Sequence, residues 1–523
     1  MKKIIILLLC LVMVLLPTLA SCADNTADTS KDGTSSSSTG NEESSKQPEN
    51  DIPGYNEETG KYEPELPEYT WEEEKVFKVL VYSKERQDTY FSEDIEPDLY
   101  DTTDEALNSA VASRNNALYD RYKKVRIKAY AVADVVDELK KDIDAGGIQG
   151  GGVGYDAAMP FLGNATTLAQ QNYFYALNDF DEYIDLEMPW WDQNFTDTMT
   201  VGDNVYFAVG DISLMQKIVS SAVLFNKPLL EEVSKSYGEE IDLFQEVRDG
   251  EWTFDRMYEL AKAYTKESDG QAGMTYKDKW GLIASYGLPV SYYLASGESF
   301  VTKDAQGKPY IYIGSTNRSI TVAQKVLSRF AEKDTWRLYC NEISVSGTTI
   351  WQAGLDVFGE NRALFYNSAF SAIKKLRAYK DLNEWGFLPL PKLDETQDTY
   401  YTPCSGTWAY GITIPVSAPD PEFSAFMIEA MAAEAKNTIT PAYYETILKG
   451  RDTKDPESEE MLDEYIFANI KYDLGALHDF GGVTSVFSTL AQSYSADIAS
   501  KLDSIKGDME SDINNLLEAY GVK

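Results

Sequence analysis

Strand and helix alternate between residues 76 and 161, and this alternation constrains the fold more than any other feature of the sequence. Apolar, β-branched segments typical of strands cover residues 76–82, 125–131 and 157–161. Segments with helical periodicity lie between them, at residues 105–122 and 134–145. This order and spacing predict a mostly parallel sheet with helices on both faces, which places the chain in the α/β class.

The first 22 residues have the order of a bacterial lipoprotein signal. Two lysines precede an apolar run at residues 4–16, and Leu-Ala-Ser directly precedes Cys22. A charged region, a short apolar region and small residues before a cleavage point are typical of secretion signals, and the apolar run is too short to span a bilayer. We predict that residues 1–21 are removed and that Cys22 carries lipid. The chain would then be exported and anchored to the outer face of the cytoplasmic membrane.

Residues 22–71 have the composition of a disordered tether. Ser, Thr, Asp, Asn, Glu, Gly and Pro dominate, and large apolar residues are almost absent before Tyr55. Such a segment buries too little apolar surface to offset the entropy of ordering it. About 50 flexible residues reach roughly 35 to 40 Å, which lets a folded domain stand off a membrane.

The rest of the chain is large and strongly acidic. Roughly 450 residues exceed what one ordinary core needs, so two lobes are expected. The formal charge of −38 argues against binding to nucleic acid, because little could neutralise phosphates. Once Cys10 is removed and Cys22 is lipidated, Cys340 and Cys404 remain. An exported location permits a disulfide between them, but a single pair cannot form a disulfide framework.

The sequence lacks the common motifs of catalysis and cofactor binding. His478 is the only histidine, which excludes His-rich metal sites and leaves at most one base for a Ser or Cys triad. GxSxG, GxxxxGK[ST] and CxxC do not occur. We therefore predict no catalytic residues, no bound metal and no cofactor. Paired carboxylates for glycoside hydrolysis stay open, since 85 acidic residues create pairs in any fold.

Residues 361–417 contain two β-rich runs separated by a polar crossing. WGFLPLPK is followed, after a loop, by SGTWAYGITIPVSAPDPEFSAFMIEAM. This stretch resembles the crossover region of the bacterial extracellular solute-binding proteins of family 1, the maltose-binding lineage. ALNSAVASRNNALYDRYKKVRI and YDAAMPFLGNATTLAQQ are similar to earlier strands and helices of that family, and DNVYFAVGDISLMQKIVSSAVLFNKPLLEEV is similar to its passage into the second lobe.

The resemblance covers nearly all of residues 76–520 and implies a particular architecture. That architecture is the two-lobed periplasmic-binding-protein-like fold of type II, with mostly parallel sheets, helices on both faces and a hinge between the lobes. The boundaries expected from it place lobe 1 at residues 72–188 and 398–455, and lobe 2 at residues 189–397 and 456–523.

The resemblance also implies a function. A member of the family captures a carbohydrate, here an oligosaccharide, by hinge closure and delivers it to the permease subunits of an ABC importer; a monomer suffices for this mechanism. The abundance of aromatic residues fits such a ligand, because apolar faces of sugar rings pack on aromatic rings while their hydroxyls need polar partners. Candidates for stacking are Trp190, Trp191, Tyr286, Trp351, Tyr366 and Trp408. Candidates for hydrogen bonding, from their positions in the family pattern, are Asn164, Asp211, Ser220, Ser285 and Asn367.

Other functions stay open at this point. A secreted glycoside hydrolase would turn over a glycan with two carboxylates. A surface protein could bind glycans or peptides without any transport role, since aromatic clefts also accept peptides.

Overall fold

The computed structural model of the chain describes residues 52–522, except for 70, 72, 87–88, 102, 123, 383, 445 and 447–455. The predicted signal peptide, Cys22 and residues 23–51 of the predicted tether lie outside the described residues. The strands, in chain order, are β1 (Tyr55–Asn56), β2 (Lys61–Tyr62), β3 (Lys75–Tyr82), β4 (Val125–Val132), β5 (Ala157–Ala158), β6 (Ser221–Asn226), β7 (Trp280–Ala284), β8 (Val301–Lys303), β9 (Pro309–Ile311), β10 (Arg337–Tyr339), β11 (Ala363–Ala369), β12 (Trp385–Leu388), β13 (Thr402–Pro403) and β14 (Ile470–Lys471). The α-helices are α1 (Glu105–Arg121), α2 (Val135–Asp144), α3 (Leu162–Gln170), α4 (Gln193–Met199), α5 (Met215–Ile218), α6 (Lys227–Tyr237), α7 (Leu243–Arg248), α8 (Phe254–Tyr264), α9 (Leu288–Ala295), α10 (Asn317–Ala331), α11 (Ile350–Gly359), α12 (Ser371–Leu376), α13 (Pro421–Pro441), α14 (Pro456–Glu460), α15 (Leu474–His478), α16 (Val483–Gln492) and α17 (Ile498–Ala519).

The first sheet is parallel and has β3 at its centre, between β4 and β5. A nearly continuous apolar run such as KVFKVLVY is typical of a strand that is covered on both faces. The strands and helices predicted between residues 76 and 145 are confirmed to within one residue at each end. The strand predicted at residues 157–161 is shorter and pairs only at Ala157–Ala158. The side chains of β3 that are fully buried are Phe77, Val79, Leu80, Val81 and Tyr82.

The segment at residues 408–414 lies beside the first sheet without forming a continuous strand. It pairs through isolated bridges, from Thr413 to Ala158 and from Tyr410 to Phe161. A regular strand was expected here. At Gly411 the ring of Phe207 packs 2.7 Å from the position that a Cβ would occupy, so this close approach requires glycine there.

The second sheet has five strands in the order β10-β7-β11-β6-β12, with β6 antiparallel to both of its neighbours. β11 is central and pairs in parallel with β7, which pairs in parallel with β10. The adjoining helix α8 begins where the sequence predicts it. The side chain of Thr253 accepts a hydrogen bond from the backbone N–H of Arg256, and the predicted apolar stripe is buried at Met257, Leu260, Ala261 and Tyr264.

The predicted tether is shorter than residues 22–71, because residues 52–69 pack on the folded domain. We call this segment the strap. Its hairpin, β1–β2, is held by α13: the backbone N–H of Tyr62 donates to Asn437 Oδ1 at 2.8 Å, and Asn437 Nδ2 donates to the Tyr62 carbonyl at 2.8 Å. The Tyr69 hydroxyl contacts Asp420 at 3.1 Å, and its ring packs 5.6 Å from that of Phe426. These aromatic anchors overcome the polar composition of the segment.

We use lobe 1 for the first sheet with α1–α3, α13 and the strap, and lobe 2 for the second sheet with α6–α12. The sequence predicts that lobe 2 starts at residue 189. Beyond that position, Trp190 and Trp191 bond to Glu429 of α13, and Asp211 pairs with Lys436 of the same helix. The chain enters the second sheet at β6. The predicted boundaries stay predictions.

Three further observations concern the described residues. None of the described helices has the length and apolar character that crossing a membrane requires. Within the described ranges, no group of three or more His, Cys, Asp or Glu residues is placed to hold a metal ion. Cys340 and Cys404 are free, and Cys404 Sγ lies 3.7 Å from the carbonyl of Gln216, so the disulfide that export would permit is not formed.

Candidate functional site

The carboxyl ends of the parallel strands define where a ligand is expected, since α/β sheets bind ligands at that edge. In lobe 1 this edge follows β3 and β5, and in lobe 2 it follows β7, β10 and β11. The loop after β3 connects the two edges. Its Tyr90 hydroxyl lies 2.9 Å from the Ser371 hydroxyl, and Ser371 begins α12 directly after β11. We call the region between these edges the cleft.

Five aromatic rings gather on the lobe 1 side of the cleft, and we call them the aromatic patch. Tyr82 stacks on Phe161 at 3.9 Å between ring centroids, and Tyr410 packs 5.3 Å from Phe161. Trp408 meets Phe161 edge-on at 5.4 Å and stacks on Tyr90 at 5.0 Å. Trp408 and Tyr90 are half-buried, while the other three rings are buried. The patch therefore offers Trp408 and Tyr90 as partly accessible rings on a rigid base.

Polar groups surround the aromatic patch. Asn164, in the first turn of α3, donates from Nδ2 to the Tyr82 hydroxyl at 3.1 Å. The guanidinium of Arg86 lies over Tyr82 at 5.3 Å and over Phe161 at 5.6 Å. The Oγ of Ser83 and the hydroxyl of Tyr410 are buried without a hydrogen-bond partner among the described residues. Buried polar atoms normally have partners, so this side of the cleft has unused hydrogen-bonding capacity.

The lobe 2 side presents an amide, a carboxylate and a tyrosine at the ends of β7 and β10. The backbone N–H of Tyr286 donates to Asn341 Oδ1 at 2.9 Å, and its hydroxyl donates to Glu342 Oε1 at 3.1 Å. Its ring meets Tyr339 at 4.7 Å. Burial and the neighbouring carboxylate of Glu342 raise the pKa of Tyr286 to about 12, so it stays a neutral donor. Ser285 precedes it and is half-buried.

Asn367 lies on β11, close to the carboxyl end of that strand. Its Nδ2 donates to the carbonyl of Ala222 on β6 at 3.1 Å. Its Oδ1 is buried and has no hydrogen-bond partner among the described residues. The amide is thus oriented by the sheet and keeps an acceptor for another group.

The structure places the predicted site residues in two groups. Near the cleft lie Asn164, Ser285, Tyr286, Asn367 and Trp408. Tyr366 is on the same strand as Asn367, but it is buried, with its ring 5.8 Å from that of Phe358. Four of the remaining predicted residues lie elsewhere: Trp190, Trp191, Asp211 and Ser220.

Trp190 and Trp191 are core residues of lobe 1. Both are buried, and their indole N–H groups donate to the two carboxylate oxygens of Glu429, at 3.0 and 2.9 Å. Burial raises the pKa of Glu429 to about 8, although the two indole donors lower it. Because both rings are buried and both N–H groups donate to Glu429, neither tryptophan offers a ring face to a ligand.

Asp211 and Ser220 also have surroundings unlike a ligand site. Asp211 is buried, and Lys217 at 3.0 Å and Lys436 at 3.2 Å oppose the effect of its burial and keep its pKa below the ordinary value. The Ser220 hydroxyl donates to the carbonyl of Gln216. Trp351 differs from both, because it is 59% exposed in the first turn of α11, the helix that follows the carboxyl end of β10.

Sequence reasoning missed Tyr90, Arg86, Asn341 and Ser371. Each follows the carboxyl end of a parallel strand, where ligand contacts are expected. For Arg86 and Ser371, this position shortly after a predicted strand could have identified them from the sequence. Tyr90 was harder to find, because a long loop separates it from β3.

His478 and one surface pocket both lie outside the cleft. His478 Nδ1 pairs with Gln170 at 3.0 Å, and its ring stacks on Phe480 at 4.8 Å. Burial lowers its pKa to about 3, which keeps it neutral. The pocket, of about 690 Å³, is lined by Lys227 and Glu384, where β6 ends and β12 begins. That is the edge of the second sheet opposite the cleft.

Comparison with solved structures identifies the fold. No protein-family model matches the chain, and no curated protein is significantly similar to it in sequence. The sugar-binding protein MalE from Xanthomonas citri superposes with a TM-score of 0.54 at 12% identity, over 85% of this chain and 98% of that one. A sugar transporter from Rhizobium etli in an open conformation gives 0.53 at 12% identity, over 84% and 98%. A cyclo/maltodextrin-binding protein complexed with maltotetraose gives 0.51 at 14% identity, over 86% and 98%. The chain therefore has the two-lobed α/β fold of maltose-binding type.

Proposed function

We propose that this protein is an exported solute-binding protein that captures an oligosaccharide in the cleft and delivers it to the permease subunits of an ABC importer. Cys22 carries the lipid that anchors it to the membrane, and the protein acts as a monomer. The observation that carries the proposal is the aromatic patch at the strand edges of a fold shared with sugar-binding proteins. Half-buried rings surrounded by amides, hydroxyls and a guanidinium suit a sugar, whose ring faces are apolar and whose edges are polar.

The contacts of Glu342 and Asp94, two carboxylates near the cleft, favour binding over hydrolysis. Glu342 accepts hydrogen bonds from the hydroxyls of Tyr286 and Tyr494. Asp94 accepts from the Ser213 hydroxyl and from the backbone N–H of Leu214, both at 2.9 Å. Both carboxylates thus serve as acceptors in structural networks, whereas a hydrolase needs two that face a scissile bond.

Capture would follow from contacts made by both lobes. Tyr90 already links the lobe 1 loop to Ser371 of lobe 2, so a sugar stacked on Trp408 would lie beside this junction. A ligand shifts an equilibrium between open and closed states only through contacts that differ between them. Polar groups of lobe 2, such as the Asn367 amide and the Tyr286 hydroxyl, would supply those contacts on closure.

The proposal is tested by calorimetric titration of the purified full chain with a panel of oligosaccharides, with peptides as controls and product analysis in parallel. Trp408→Ala should weaken sugar binding by about tenfold or more, since a stacking partner is lost. Tyr310→Ala is the control, because it removes an exposed aromatic side chain from β9, a strand outside the sheets whose ends border the cleft. Its affinity should equal that of the natural chain.

The other outcomes identify the rival functions. Binding confined to peptides would replace the sugar with a peptide ligand. Release of shortened glycans would show an enzyme. An affinity that Trp408→Ala leaves unchanged would place the ligand away from the aromatic patch.

A further inference from the structure

One segment of this acidic chain has the opposite charge. Residues 363–380, which comprise β11, α12 and the turn after it, contain four cations and no carboxylate, although the whole chain has 85 acidic and 47 basic residues. The cations are Lys374, Lys375, Arg377 and Lys380, and all four are exposed. A local reversal of charge in a chain with a formal charge of −38 calls for a physical reason.

The position of this segment relates the charge to the cleft. α12 begins at Ser371, which contacts Tyr90 of the aromatic patch at 2.9 Å. Lys374 follows one helical turn later, and its Nζ lies 3.9 Å from Glu93 Oε2 on the lobe 1 loop. Lys374 is therefore a cation at the rim of the cleft, on the lobe 2 side, and its ion pair is long.

Lobe 1 contributes a second cation at the other end of the aromatic patch. Arg86 follows β3, is exposed, and lies over the rings of Tyr82 and Phe161. The carboxylate of Asp134 lies 3.7 Å from it and is itself 46% exposed. Exposed pairs of this length contribute little stability, so a better-placed anion could replace Asp134.

We propose that the captured glycan is anionic, an oligosaccharide that contains uronic acid residues. Its rings would stack on Trp408 and Tyr90, and its carboxylates would pair with Arg86 on one side and Lys374 on the other. The guanidinium fork suits a carboxylate in particular, because it can donate two parallel hydrogen bonds. Local cations also offset the repulsion that a strongly acidic protein exerts on an anion. This inference rests on the proposed function and specifies its ligand class.

The first experiment compares ligands that differ only in charge. Oligomers of galacturonate, of mannuronate and guluronate, and of glucuronate-containing disaccharide units are titrated into the full chain, each beside its methyl-esterified form. The esters keep the rings and linkages and lose the carboxylate charge. We expect at least one acidic oligomer to bind about tenfold or more tightly than its ester, with an affinity that falls as salt is raised.

The second experiment compares variants. Arg86→Ala and Lys374→Ala should each lower the affinity for the acidic oligomer by about tenfold and leave the affinity for its ester nearly unchanged. Lys506→Ala is the matched control: Lys506 forms an equally long, exposed pair with Glu510 at 3.9 Å, on α17. It should bind as the natural chain does. All three side chains are exposed, and thermal unfolding verifies that the variants fold.

The outcomes separate this inference from the proposed function. Preference for neutral oligosaccharides, or equal binding of acid and ester, overturns the anionic ligand and leaves sugar capture standing. Failure of every glycan, acidic and neutral, overturns both. If Lys506→Ala lowered the affinity for the acidic oligomer as much as Lys374→Ala does, the effect would be one of net charge, and this result would also overturn the inference.

Discussion

At the scale of single residues, the clearest feature is a buried carboxylate that two tryptophans hold. Glu429 accepts from both indoles, and burial raises its pKa to about 8. Its folded pKa is thus above the ordinary value of about 4.5, so the folded state keeps the proton that the unfolded state has already lost. The contribution of Glu429 to stability is complete below its ordinary pKa of about 4.5 and is lost as pH rises through its folded-state pKa of about 8.

We expect the free energy of unfolding to contain a component that falls between about pH 4.5 and pH 8, by about 1.4 kcal/mol for each unit that separates the two pKa values. Urea denaturation at several pH values measures it. Glu429→Gln removes the titrating group, so the difference between variant and natural chain should change in the same pH window. A difference independent of pH would contradict the expectation.

These residues also show what sequence could predict. An aromatic residue in a polar surrounding suggested Trp408, which lies at the cleft; its contact with a ligand stays a prediction. The same pattern also selected Trp190 and Trp191, which are core residues. Their partner Glu429 is more than 200 positions away, so the local sequence did not show that they are buried. Long-range hydrogen-bond partners leave no local pattern, and so the site could be predicted only in part.

At the scale of elements, helix starts and parallel strands were predictable from local chemistry. Thr253 begins α8 as a cap, and the periodicity of the following residues matches their burial. The strap was not predictable from its composition, since its three aromatic residues, Tyr55, Tyr62 and Tyr69, lie among polar residues. Its order depends on α13, whose sequence lies about 375 residues later.

Replacement of the α8 cap should have a simple effect. Thr253→Ala removes the acceptor for the Arg256 N–H, and we expect a loss of about 1 kcal/mol in the free energy of unfolding. Thr253→Ser retains the oxygen and should retain most of the stability. Denaturant titration of both variants measures the effect, and equal losses in the two would contradict the capping role.

The strap should detach when its clamp is removed. Asn437→Ala deletes the two hydrogen bonds to the Tyr62 backbone, at a cost of about 1 to 3 kcal/mol because the freed groups are partly buried. We expect faster proteolysis within residues 52–69 and little change in the rest of the digest. Asn317→Ala, on α10, is a control for the loss of an asparagine and should leave proteolysis of the strap unchanged. If the strap is cleaved at the same rate in the natural chain and in Asn437→Ala, Asn437 does not hold it.

At the scale of the whole molecule, the two-lobed α/β fold was predicted from the resemblance and is confirmed by structures of only 12 to 14% identity. The prediction succeeded because alternating strands and helices leave few ways to build a parallel sheet. The junction of the lobes was less predictable. It depends on contacts such as Tyr90 with Ser371, which join positions 281 residues apart.

This junction leads to a test of closure. Tyr90→Phe removes the hydroxyl that meets Ser371 and keeps the ring on Trp408, so we expect ligand affinity to fall by about 0.5 to 1.5 kcal/mol. Small-angle scattering should show compaction of the natural chain at saturating ligand and less compaction in the variant at the same ligand concentration. Tyr310→Phe, on β9, is a control. Binding without any compaction would exclude hinge closure.

The strap also fixes where the N-terminal segment leaves the folded domain. It binds lobe 1 through α13, and the chain that leads back to Cys22 continues from it. If Cys22 carries lipid, as we propose, the point of attachment belongs to lobe 1, and lobe 2 can move relative to lobe 1 without displacing that point. Closure of the cleft would then exert no pull on the attachment.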